Sequence, residues 1–82
     1  MEIHFSDTEL RTIFTASCIE SAAREAGCSA SEMYRRMNAV GLIDNYIWKF
    51  YDSLHTQSRA YVVEDVMTAL ANWEKRKGLA ND

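Results

Sequence analysis

Between Ser53 and Val66 the chain reads SLHTQSRAYVVEDV. His55 is a candidate general base, Thr56 and Ser58 carry hydroxyls that a base could activate, and Asp65 could orient the imidazole. Nothing in the spacing ties these groups together. The stretch has no nucleophile elbow and no Gly-rich loop to supply an oxyanion hole. The same residues fit a helix corner. His55 closes one apolar-periodic segment, where an imidazole can bond the last helical carbonyls. Thr56 or Ser58 suits the N-cap of the next segment. Glu64 and Asp65 come early in that segment, where a helix dipole favours carboxylates. Capping and periodicity explain more residues than a triad does. The expectation is therefore a non-enzymatic protein with no cofactor and no identified small-molecule substrate.

Metal chemistry fares no better. His4, Cys18, Cys28 and His55 are scattered, and no pair has the close spacing of a structural zinc site. Cys18 falls on an inward helical face and reads as a small core residue.

Nucleic-acid recognition has one candidate. In AREAGCSASEMYRRM, Ala23 to Met37, a small residue precedes a glycine by four and an apolar Met33 follows the glycine by six. That order resembles a helix-turn-helix, in which Arg35 and Arg36 would face phosphates or bases. Arg36 stands where a second apolar anchor belongs, and the net charge is -3. Duplex binding draws on many Lys and Arg, so the ordinary helix-helix turn is the stronger reading.

These residues must be held by helices. The chain has 82 residues, enough for one domain with a modest core. It has no Pro and three Gly, so little interrupts helical runs. Ser6 and Glu9 have capping-box spacing, as do Ser29 and Glu32. Helical periodicity then predicts four helices over about 7–26, 30–40, 42–54 and 58–77, with 78–82 as a frayed tail. Their apolar faces run through Leu10, Ile13, Phe14 and Cys18; Met33, Tyr34, Met37 and Val40; Ile43, Tyr46, Ile47, Phe50, Tyr51 and Leu54; and Val62, Val66, Leu70 and Trp73. The expected fold is all-α, a compact four-helix single domain over 1–82. No apolar stretch approaches the ~20 residues that span a bilayer. With no signal-like start, cytoplasmic residence with two free thiols is expected.

Two apolar residues fall outside these faces, Trp48 on the third helix and Ile19 on the first. Displaced large apolar groups suggest a second buried surface, hence a protein partner or a homodimer. Trp48, His55, Tyr61, Asp65 and Ile19 are the candidate contact residues.

GLIDNYI at Gly41–Ile47, YDSLHTQS at Tyr51–Ser58 and YVVEDV at Tyr61–Val66 resemble a family of short bacterial helical proteins, domain of unknown function three-seven-nine-one. The resemblance runs from the first helix to Trp73. It implies no established activity. Genes of that family stand beside genes for a family similar to ADP-ribosyltransferase-like toxins, which implies an antitoxin-like or accessory partner role.

Overall fold

Helix α1 spans Asp7–Ala26 in a computed structural model that describes residues 4–78. Its start is the capping box read from Ser6 and Glu9. The Glu9 N–H donates to Ser6 Oγ at 3.1 Å and the Ser6 N–H donates to Glu9 Oε1 at 3.0 Å. The second bond holds the Glu9 carboxyl below its usual range. Gly27, at φ 72°, ends α1 in the left-handed conformation that glycine adopts at least steric cost.

Helix α2 spans Ala30–Ala39. Ser29 Oγ accepts from the Glu32 N–H at 3.1 Å, but the reciprocal bond is replaced by a side-chain contact, Ser29 Oγ to Glu32 Oε1 at 3.3 Å. Helix α4, over Arg59–Arg76, starts on Ser58, whose Oγ accepts from the Tyr61 N–H at 3.2 Å. Between α2 and α4 the chain forms a π-helical turn at Ile43–Ile47 and then α3, one turn over Tyr51–Leu54.

That middle region corrects the continuous helix expected over 42–54. The Trp48 N–H donates to the Ile43 carbonyl, five residues back, at 2.8 Å. One wide turn advances the chain by an extra residue relative to an α-helix, so side chains beyond it rotate away from the straight-helix pattern. Tyr51 and Leu54 remain buried, but Phe50 turns outward and is 44% exposed. The expected core place of Phe50 is lost for this reason.

Two further expected faces are shorter than their periodicity. Leu10 and Ile13 are exposed, because the buried residues of α1 all lie at Thr15 or beyond. Its neighbours pack against the second half of the helix. On α2, Met33 and Met37 are buried whereas Tyr34 is exposed; two anchors suffice to seat a ten-residue helix.

The core gathers Cys18, Ala22 and Ala23 of α1, Met33 and Met37 of α2, Leu42 and Ile47 of the connection, and Val62, Val66 and Leu70 of α4. Each large apolar side chain buried here contributes ~1.5–3 kcal/mol. Polar ties add orientation. The Arg59 guanidinium donates to Ser17 Oγ at 2.8 Å and to Ser21 Oγ at 3.1 Å, joining the start of α4 to α1. The fold is all-α: three longer helices and a broken connection stand where four helices were expected. No described helix is long and apolar enough to cross a membrane. The tail expected to fray lies outside the described residues beyond Gly78.

Candidate interaction surface around Tyr46 and Asp65

The structure separates the groups of the candidate catalytic set. His55 stacks on Tyr51, ring centroids 4.5 Å apart and nearly parallel. The Thr56 hydroxyl donates to the Ser53 carbonyl at 2.8 Å, finishing the turn before it. Ser58 is the N-cap of α4. Asp65 accepts a hydrogen bond from the Tyr46 hydroxyl. Each of the four has its own partner, and those partners are different, so the SLHTQS stretch is a helix corner.

The helix-turn-helix residues are divided in the same way. Ala23 and Met33 are buried and Gly27 takes the left-handed turn, which is how any tight helix corner packs. Arg36 does not project freely. Its Nε and Nη2 form a two-point ion pair with Glu74 of α4, at 3.0 and 2.9 Å. Arg35 is exposed on α2.

Of the contact candidates, Ile19 is half-buried against the core. The reason is that α2 packs on α1 and covers the side that a helical wheel leaves outside the main face. Trp48 is half-buried, and its carbonyl accepts from Arg11 Nη1 at 2.6 Å. Tyr61 is 54% exposed. Asp65, four residues later on α4, is half-buried.

Tyr46 links a set of residues that the sequence leaves far apart. Its ring meets Phe50 edge-on at 5.5 Å and Trp73 at 5.9 Å. Its hydroxyl reaches Asp65. Burial pushes the Tyr46 phenol up to about 12, and the bond to Asp65 and the nearby Tyr61 act in the same direction. The π turn supplies Tyr46, the turn after it supplies Phe50, and α4 supplies Tyr61, Asp65 and Trp73. Phe50 escaped sequence reasoning as a surface residue because it lies on a face that periodicity assigns to the core, whereas Trp73 packs against the core as its stripe implies. Only the Tyr61–Asp65 spacing, one helical turn, was visible locally.

A concave surface lies between α1 and α4. Ala60, Val63, Met67 and Ala71 line it together with Arg24, Arg59 and Glu64. Among the described residues no group of three His, Cys, Asp or Glu could hold a metal ion. Cys18 and Cys28 are both free thiols. Burial pushes the Cys18 thiol up to about 11.

No curated protein and no solved structure matches the chain. The family model described as "Protein of unknown function (DUF3791)" matches residues 13–73, from the middle of α1 to Trp73 and therefore through the whole Tyr46 cluster, and the chain belongs to that family.

Proposed function

We propose that the chain is a small cytoplasmic protein-interaction module, a binding partner and not a catalyst, in an antitoxin-like or accessory role toward the product of a neighbouring gene. One observation carries the reading. Exposed Tyr61 stands one helical turn before the half-buried Asp65, whose carboxylate accepts from Tyr46, and the Tyr46 ring in turn meets exposed Phe50 and half-buried Trp73. Aromatic residues with a central, partly desolvated polar group are the usual make-up of an interface anchor. Tyr61 and Asp65 thus serve as the contact residues on α4, with Trp48 as a further anchor in the preceding turn.

Light scattering across a concentration series, alone and with the neighbouring gene product, tests this. A homodimer or a defined complex is expected. Tyr61→Ala and Trp48→Ala should each weaken it at least about fivefold while leaving the far-ultraviolet spectrum unchanged. A chain that stays monomeric and binds no protein overturns the reading.

A further inference from the structure

The Asp65 carboxylate has an unusual set of neighbours. It is half-buried, and the Tyr46 hydroxyl donates to Oδ2. Among the described residues, no Lys, Arg or His forms an ion pair with it. Its second oxygen, Oδ1, makes no hydrogen bond there, yet it is not sealed from the surface. A carboxylate with one oxygen held by the protein and the other open to the surface can take a charge-assisted hydrogen bond from an incoming cation. A neutral phenol answers one lone pair and none of the charge.

The surroundings suit a particular cation. Aromatic faces attract positive charge through the ring quadrupole. Two of the rings show this within the chain itself: the Lys49 ammonium lies 5.6 Å from the Phe50 centroid, and the Arg76 guanidinium lies 5.7 Å from that of Trp73. Neither cation pairs with Asp65. The exposed Tyr61 ring stands one turn before the carboxylate on the same helix. A guanidinium is planar, so it can pair with Oδ1 and lie on an aromatic face at once, which an ammonium does less well.

We infer that this surface receives an arginine side chain of a protein partner, whose guanidinium pairs with Asp65 and stacks on Tyr61. The inference rests on the interaction-module reading and names the chemistry of the partner. It also gives Tyr46 a role. By holding Oδ2, the phenol aims Oδ1 outward, and it is a positioning residue for the carboxylate.

The test uses the full chain, ¹⁵N-labelled, titrated with Nα-acetyl-arginine amide and, separately, with the uncharged Nα-acetyl-citrulline amide. The arginine probe should give saturable shifts at Tyr61 and Asp65, and the citrulline probe should give none. Asp65→Asn keeps an acceptor for Tyr46, so the fold is retained; it should weaken the arginine probe at least about fivefold. Tyr61→Ala, an exposed truncation, should weaken it severalfold and guards against a folding defect in the first variant. Absent shifts, equal shifts with citrulline, or an Asp65→Asn variant that binds as the parent does would each overturn the inference. Nα-acetyl-lysine amide binding as tightly as arginine would overturn the guanidinium assignment. If the chain still forms its complex in light scattering while the arginine probe fails, the module reading stands and this inference alone falls.

Discussion

The Arg11 guanidinium donates to the main-chain carbonyl of Trp48 at 2.6 Å, across 37 positions of sequence. The same side chain bonds Asp7 at 2.8 Å and lies 4.9 Å from the Tyr51 ring centroid. It therefore fastens the exposed half of α1 to the turn where the connecting segment leaves its π-helical path. A carbonyl held by a charged donor from another helix is poorly placed to continue an α-helical ladder.

Arg11→Met should loosen that turn. Methionine keeps most of the packing volume and removes the donor. The expected outcome is a lower urea midpoint and faster amide exchange through Trp48–Leu54, with exchange in the core half of α4 little changed. Native-state hydrogen exchange by mass spectrometry checks it; unchanged protection in that segment would mean the break is held by packing instead.

The two hydroxyls of the corner should separate cleanly. Ser58 caps α4 through the Tyr61 N–H, whereas Thr56 bonds back to Ser53. Ser58→Ala should cost about 1 kcal/mol of stability and Thr56→Ala markedly less. Paired denaturant melts measure both, and the reverse order would reassign the cap.

Tyr46 makes stability fall at alkaline pH. Its phenol is raised from the ordinary 10.0 to about 12 in the folded chain. The unfolded chain therefore releases that proton first. Between pH 10 and 12 the native state binds more protons, and stability falls as pH rises. Below pH 10 the contribution is fully present. Urea midpoints at several pH values should show this decline, and Tyr46→Phe should flatten it. Absorbance at the tyrosinate band should show a transition near pH 12 that Tyr46→Phe removes.

Duplex DNA should bind no tighter than about 10⁻⁵ M at physiological salt, near the non-specific range. The charge of -3 and the engagement of Arg36 by Glu74 both work against a phosphate-facing surface. Mobility shifts with random and upstream genomic duplexes check this. Selective, salt-sensitive binding abolished by Arg35→Ala/Arg36→Ala would instead favour a regulator.

Local signals determined much of this protein. Ser6, Ser29 and Ser58 each place a hydroxyl before a helical run, and each caps the helix that follows. Gly27 marks the end of α1 because few other residues adopt its φ of 72° at low cost. The Val62, Val66 and Leu70 spacing names the buried face of α4. Caps and stripes are legible because they act within one or two turns of the chain. Tertiary structure alone decided the rest. No residue between Leu42 and Leu54 is a helix breaker, so the π turn and the outward rotation of Phe50 depend on what Trp48, Tyr46 and Tyr51 meet elsewhere. Periodicity showed which face of α1 is apolar but not how far along it a neighbour would pack, so Leu10 and Ile13 read as core and are exposed. The bond from Tyr46 to Asp65 spans 19 positions and two elements. Such a contact forms because the packed helices bring the phenol and the carboxylate together, and no local pattern in either segment encodes that meeting.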